Sequence, residues 1–185
     1  MNKTEKLISN YEQRIALPWD DSLSGSQRVF FAVYDKTDER RLRARIEGFE
    51  LATKKAGKVW HLCDITNSFA DWMGSKDYKE SYFEAPDDLN LALGEYREHV
   101  AELVAEALRE QTDANSLVAL LGVASLFGFA RVSELVSTVQ KDIRGRLLVF
   151  FPGEHENNSY RLLDARDGWN YLAVPITYHE RNQSS

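Results

Sequence analysis

The sequence of 185 residues contains a single cysteine, Cys63, so no disulfide can form within the chain. A reducing compartment fits this composition best. The first fifteen residues lack the apolar core of a secretory signal, and no segment approaches the roughly 20 apolar residues of a membrane helix. We therefore expect a cytoplasmic protein that does not enter a membrane.

An excess of positive charge is also missing, because the formal net charge is -6. This balance argues against a protein whose main task is to coat nucleic acid. Arg40, Arg41, Arg43 and Arg45 do gather on one predicted helix, but nearby glutamates dilute their field. We interpret that helix face as solvated and do not expect direct nucleic-acid binding.

The familiar catalytic and cofactor motifs are absent. Gly122 and Gly128 do not have the spacing of a phosphate-binding loop, and no dinucleotide fingerprint is found. The four histidines lack zinc-site spacing, and Ser125 does not lie in a nucleophile elbow. Cys63 lies two residues from His61 on an apolar strand, which indicates a buried structural thiol. These motifs thus predict no catalytic group, no histidine-based metal site and no cofactor.

The apolar patterns that are present predict one α/β domain spanning residues 1–185. A helix and loop form residues 1–27, and a flexible tail forms residues 177–185. We expect an irregular path over residues 74–90. The pattern predicts helices over 37–55, 91–109 and 132–143, and strands over 29–34, 59–65, 117–121, 146–151, 160–163 and 170–176. These elements favour a mostly parallel, Rossmann-like open sheet of five to six strands, with helices on both faces and a C-terminal hairpin through residues 165–168.

The stretch from Leu117 to Leu135 is the segment around which the other elements are arranged. Residues 117–121 are continuously apolar, as in a strand buried on both faces. Gly122 and Gly128 bound a loop, and a helical pattern resumes at Arg131. In an open α/β sheet, the loop between a strand and the next helix is where ligands and partners dock.

Polar residues follow several strands at the same predicted edge of the sheet: Asp35, Asp64 and Glu154. Their carboxylates suit Mg²⁺, which takes oxygen ligands. Alternatively, Asp35 and Asp64 cap the helices that follow them, which is a common role of aspartate. Arg131 beside the glycine loop adds a phosphate-binding hypothesis.

Several short motifs occur in a characteristic order along residues 29–176. They are Tyr34-Asp35, then Gly122 with Phe127, Phe129, Arg131, Ser133 and Leu135, then Phe150 to Glu154, Tyr160 to Leu162, and Asn170-Tyr171. In this order and spacing the chain resembles the BrxB family of bacterial phage-resistance (BREX) systems.

The resemblance implies a small cytoplasmic component of a defence system, with no established catalytic activity. Such a component would act as an assembly or bridging subunit for a PglZ-like protein, a BrxC-like ATPase and a PglX-like DNA methyltransferase. Self-association stays open. The alternative is a phosphate- or nucleotide-handling enzyme or regulator that uses the carboxyl edge of the sheet. The candidate partner- or ligand-binding residues are Tyr34, Asp35, Asp64, Gly122, Phe129, Arg131, Ser133, Pro152, Gly153 and Glu154.

Overall fold

A computed structural model describes residues 1–75, 86–169 and 171–179 of the chain. The strands are β1 (Val29–Tyr34), β2 (Val59–Asp64), β3 (Ser116–Leu121), β4 (Arg146–Glu156), β5 (Ser159–Leu162), β6 (Ala165–Trp169) and β7 (Val174–Ile176). Five of them lie in the order β2-β3-β4-β1-β7, all parallel, while β5 and β6 extend β4 as antiparallel strands. The predicted α/β class with a mostly parallel open sheet is confirmed.

The inner strands β1 and β3 are buried at all six of their positions. Their runs of apolar side chains suit this place, because helices cover both faces of a parallel sheet. Tyr11 and Phe49 belong to the core on one face, and Tyr96 and Val136 to the core on the other. The sequence pattern therefore located the interior of the sheet correctly.

The helices are α1 (Lys3–Ile15), α2 (Glu39–Arg43), α3 (Ile46–Lys55), α4 (Ser68–Gly74), α5 (Pro86–Arg109) and α6 (Val132–Val139). α1 and α3 pack against each other on one face, and α5 packs with α4 and α6 on the other. Asn2 and Glu5 form a reciprocal capping box that starts α1.

The predicted single helix over residues 37–55 is wrong in detail. A 3₁₀ turn at Lys36–Asp38 precedes α2, and the chain leaves helical geometry at Arg45 before α3 begins. Leu42 and Phe49 are both buried on the same core, so the apolar spacing continues across the break. Periodicity alone could not reveal this interruption.

The predicted end of the fourth strand and the C-terminal hairpin also need correction. β4 does not stop at Pro152 but continues to Glu156, and Pro152 forms the last pair with β1, opposite Tyr34. The turn after β5 lies at Leu163 and Asp164, whereas Asp167 and Gly168 belong to β6. β7 then pairs in parallel with β1 rather than closing a hairpin.

The predicted tail is partly held against the first helix. The side-chain amide of Asn10 donates to the carbonyl oxygens of Thr177 (2.7 Å) and His179 (3.2 Å). Residues 180–185, residue 170 and most of the irregular path predicted for 74–90 lie outside the described residues. In the described ranges, no helix combines the length and hydropathy needed to cross a bilayer.

Candidate partner-binding site

At the carboxyl edge of the sheet, a chain of polar contacts links the segments that follow β1 and β2. The Tyr34 hydroxyl donates to Glu39, and Arg43 Nε donates to the same carboxylate at 2.8 Å. Arg43 Nη2 also donates to Thr66 Oγ1 at 2.9 Å, and Thr66 in turn donates its hydroxyl and its backbone N–H to Asp64. Burial and the neighbouring Glu39 raise the pKa of Tyr34, so its hydroxyl stays a proton donor.

Asp35, like Asp64, accepts hydrogen bonds from the threonine two residues later in the chain. Its Oδ1 accepts hydrogen bonds from the backbone N–H of Thr37 (2.9 Å) and from the Thr37 hydroxyl (2.8 Å), and its Oδ2 lies 3.5 Å from Lys3 Nζ. These bonds from Thr37, with Lys3, lower the pKa of Asp35. Asp35 caps the 3₁₀ turn at Lys36–Asp38, as the capping interpretation predicts. Asp64 does not cap α4, whose N-cap residue is Asn67, and bonds instead to Thr66 in the turn before it. The described residues contain no group of three metal-ligating side chains.

The residue after β3 must be glycine because of its backbone conformation and its close neighbours; this residue is Gly122. Its φ is +95°, and a Cβ there would lie 2.5 Å from the backbone nitrogen of Thr66. Only glycine combines this backbone conformation with such a close approach. Gly122 therefore lets the loop after β3 pack directly against the loop after β2.

The loop from Gly122 to Arg131 is held by stacked aromatic rings. The ring of Phe129 lies parallel to that of Phe69 at 4.6 Å between centroids, and edge-on to Tyr96 at 6.1 Å. Arg97 Nε on α5 donates to the Phe129 carbonyl oxygen at 2.5 Å. Phe129 thus anchors the loop, while its neighbour Phe127 is 43% exposed.

Asp167 on β6 caps α6 from a distant part of the chain. Its two carboxylate oxygens accept from the backbone N–H groups of Val132 (2.6 Å) and Ser133 (2.8 Å), and the Ser133 hydroxyl donates to the Asp167 carbonyl at 2.8 Å. Burial raises the pKa of Asp167, although these hydrogen bonds and Arg131 oppose the shift. The cap fixes the start of α6 and leaves Arg131, the residue before it, exposed.

The segment of Pro152, Gly153 and Glu154 lies where β4 leaves the parallel sheet. The Pro152 carbonyl accepts from the Leu163 N–H at 2.8 Å, and Gly153 pairs with Leu162 on β5. Glu154 pairs with Arg161 within the same hairpin. These residues form the base of the β5–β6 extension, and Glu154 forms no hydrogen bond or ion pair with Arg131 or Asp35.

Next to Arg131 there is an open cavity of about 540 Å³, which we call the Arg131 recess. α5, the loop after β3, α6 and the β5–β6 extension all contribute to its walls. A smaller, mainly apolar cavity of about 190 Å³ adjoins it and shares Arg97, Ala130, Arg131 and Glu134. The recess is lined by Arg97, Phe127, Gly128, Phe129, Ala130, Arg131, Glu134, Leu162, Ala165, Arg166 and Asp167.

The Arg131 recess is locally basic on an acidic chain. Three guanidinium groups, those of Arg97, Arg131 and Arg166, line it, against the two carboxylates of Asp167 and Glu134. The oxygens of Asp167 are directed at the N–H groups of α6, from which they accept hydrogen bonds. The recess can therefore accept a negatively charged group beside an apolar one.

The structure divides the predicted site residues into three sets. Phe129, Arg131 and Ser133 belong to the recess or its supporting cap. The internally bonded carboxyl edge contains Tyr34, Asp35, Asp64 and Gly122, and the base of the β5–β6 extension contains Pro152, Gly153 and Glu154. Sequence reasoning missed Arg97, Arg166 and Asp167 as parts of one site. Their signal was weak, since Arg97 lies within a long helix and Asp-Gly at 167–168 is typical of a turn.

Cys63 is half-buried on β2, and burial together with Asp64 and Glu110 raises its pKa to about 11. From the reference value of 9.0 this lowers the thiolate fraction near pH 7.5 by about a hundredfold. A more basic thiolate is intrinsically more nucleophilic, which offsets part of that loss. We expect iodoacetamide to alkylate Cys63 about tenfold more slowly in the folded chain than in the urea-unfolded chain, measured by intact-mass spectrometry. Equal rates for the folded and urea-unfolded chain would contradict this.

Comparison with known proteins agrees with the resemblance seen in the sequence motifs. The family model of BREX protein BrxB matches residues 64–176, more than half of the chain. The match contains the Gly122–Leu135 and Phe150–Glu154 motifs and begins after Tyr34-Asp35. No curated protein matched the chain, and no solved structure did either. The chain therefore belongs to the BREX protein BrxB family and is a component of a BREX phage-defence system.

Proposed function

We propose that this protein is a non-catalytic assembly subunit that bridges larger members of a BREX system in the cytoplasm. The candidate partners are the PglZ-like protein, the BrxC-like ATPase and the PglX-like methyltransferase. The observation that carries this proposal is the Arg131 recess, where three arginines surround a cavity beside the exposed Phe127.

The composition of the recess is typical of a protein interface. Aromatic side chains and arginine carry much of the binding energy at protein contacts, especially where they border a pocket that becomes dry on binding. Phe127 offers an exposed ring, and Arg131 offers a guanidinium that can bind a carboxylate through two hydrogen bonds. Both residues lie on a loop that Phe129 and Asp167 hold in place, so little ordering is needed when a partner binds.

The charge and shape of the recess support a partner segment of particular chemistry. Its three arginines favour an acidic segment, and the adjoining cavity between Val100, Leu126 and Leu135 fits one apolar side chain. We therefore propose that the partner inserts an acidic peptide segment carrying an apolar residue. The other predicted site residues, from Tyr34 to Glu154, would hold this surface in shape rather than contact the partner.

Reversing the charge of Arg131 should weaken partner binding by about tenfold, or roughly 1.4 kcal/mol, because an attractive contact becomes repulsive. The measurement is the affinity of Arg131→Glu for each purified BREX partner, by biolayer interferometry. Arg40→Glu is the matched control, since Arg40 is exposed on α2 and does not line the recess. Arg40→Glu should bind like the unaltered protein.

Phe127→Ser provides a second, uncharged variant of the same surface. It should weaken the same complex while leaving the unfolding midpoint unchanged, because Phe127 is largely outside the core. The bridging proposal fails if the unaltered protein forms no complex with any of the three partners at micromolar concentration. If Arg131→Glu and Arg40→Glu lowered the affinity for the partners equally, the recess would not be the binding surface.

A further inference from the structure

β2 forms one outer edge of the parallel sheet. It pairs with β3 on one side, and within residues 1–75, 86–169 and 171–179 no strand pairs with its other side. The opposite edge strand, β7, is only three residues long and has Pro175 at its centre. A short edge with a proline is protected against pairing with another chain, whereas β2 has six residues and no proline.

The hydrogen bonds to β3 show which backbone groups of β2 point outward. The N–H of Val59 donates to Asn115 O at 3.0 Å, and the N–H of Ile65 donates to Leu121 O at 2.8 Å. In a parallel ladder the residues that bond to one neighbour alternate along the strand. The odd-numbered residues therefore face β3, and the N–H and C=O groups of Trp60, Leu62 and Asp64 face outward.

The side chains of β2 also lack the usual protection of an edge. Val59 is 42% exposed and Leu62 is 47% exposed, and no lysine or bulge interrupts the strand. An edge strand with exposed apolar side chains is a template for another strand. We infer that β2 pairs antiparallel with β2 of a second copy of this chain, which joins two sheets across a two-fold axis.

Symmetry restricts the register of such a pair. The two-fold axis is perpendicular to the sheet, so facing residues must point to the same side of the sheet. Odd-numbered residues then face odd-numbered ones and even-numbered residues face even-numbered ones. The axis passes midway between the two copies of one central residue, which is Trp60, His61 or Leu62. The outward groups of Trp60 and Leu62 meet as a hydrogen-bonded pair when the axis passes through His61.

Pairing of opposite charges favours the register centred on His61 over those centred on Trp60 or Leu62. It places Lys58 of each copy opposite Asp64 of the other, which forms two oppositely charged pairs at the ends of the ladder. Lys58 bonds to the neutral amide of Asn115 at 3.0 Å and lies 4.1 Å from the Trp19 ring centroid, with no ion pair to a described carboxylate. The nearest basic partner of Asp64, Arg43, is 3.9 Å away. Lys58 and Asp64 can therefore each form an ion pair with the second copy.

A cysteine cross-link tests this register directly. In the His61-centred pair, residue 59 of one copy faces Cys63 of the other as a non-hydrogen-bonded pair, with Cα atoms about 4.5 Å apart, within the disulfide range. Val59→Cys should therefore form a disulfide-linked dimer of twice 21.2 kDa after mild oxidation with copper phenanthroline. The unaltered protein should stay monomeric on non-reducing gels, since its two Cys63 residues do not face each other.

Leu62→Cys is the matched control for the register. It should not cross-link, because residue 62 faces Trp60 of the second copy in the inferred pair. Efficient cross-linking of Leu62→Cys together with none for Val59→Cys would overturn the His61-centred register.

Sedimentation equilibrium tests the dimer without any cross-link. The unaltered chain should be dimeric at 100 µM, and Leu62→Lys should be monomeric. Each introduced lysine would face Trp60 of the second copy and lie diagonally next to its Lys58, so the apolar contact is lost and like charges are brought together. At a dilution where both chains are monomeric, Leu62→Lys should have the same unfolding midpoint as the unaltered chain, since Leu62 is exposed. A monomeric unaltered chain overturns the inference. A monomer whose Leu62→Lys variant loses BREX partners would show that a partner's strand occupies β2.

Discussion

Gly153→Ala is expected to lower the free energy of unfolding by about 3 kcal/mol or more, the largest effect of any substitution considered for this chain. A Cβ on residue 153 would lie 1.8 Å from the backbone oxygen of Arg161 and 3.2 Å from the backbone nitrogen of Leu163. The first atom belongs to β5 and the second to the turn that follows it, and as backbone atoms they cannot rotate away like a side chain. The β5–β6 extension must then separate from β4. Urea denaturation followed by circular dichroism measures the loss.

Gly94→Ala is the control for this substitution. Gly94 lies within α5, and a Cβ there meets no atom within 4 Å. Alanine favours a helix by up to about 1 kcal/mol over glycine, so this variant should be stabilised. If Gly153→Ala and Gly94→Ala changed stability alike, β5 would not lie against β4 as the structure has it.

Asp167→Ala is expected to destabilise the protein by about 2 to 3 kcal/mol. The substitution removes the acceptor of two backbone N–H groups at the start of α6, and buried donors without a partner cost about 1 to 3 kcal/mol each. Burial of the Asp167 carboxylate, which raises its pKa, offsets part of this cost. Asp167→Ala should also weaken partner binding, because the cap positions Arg131. Urea denaturation and partner affinity are the two measurements.

Asp164→Ala is the control for Asp167→Ala. It removes a carboxylate of the same type without removing the helix cap. Asp164 lies three residues away in sequence, its side chain is 79% exposed, and its ion pair with Lys36 at 2.6 Å is on the surface. Exposed ion pairs contribute up to about 1 kcal/mol. Asp164→Ala should therefore change stability by less than 1 kcal/mol and leave partner binding intact. If the two substitutions lowered stability and partner affinity equally, the hydrogen bonds from α6 to Asp167 would not stabilise the helix start.

The family motif and the lining of the Arg131 recess coincide at the loop from Gly122 to Arg131. Phe129, Arg131 and Ser133 of the motif have separate places in the structure. Phe129 stacks on Phe69, Arg131 lines the recess, and Ser133 donates hydrogen bonds to the capping Asp167. Two of these places depend on residues of other elements, namely Phe69 and Asp167. A sequence motif can therefore mark the site without showing how it is built.

The amino-acid sequence by itself determined the α/β class, the buried strands β1 and β3, the helix nature of α1, α5 and α6, and the family. Each of these depends on local patterns, because apolar runs and helical spacings are read within a few residues. The motifs around Gly122 and Phe150 were also visible, although Asn170 lies outside the described residues.

Only the tertiary structure decided the features on which the proposals depend. The cap joins residues that are 34 and 35 positions apart, and the recess combines α5, α6, a loop and a hairpin. The strand order leaves β2 at an edge, which no spacing in the sequence predicts. Such contacts form because distant segments bury the same apolar surface. Their chemistry is set by which side chains that packing brings together, so Asp167 became a helix cap rather than a turn residue.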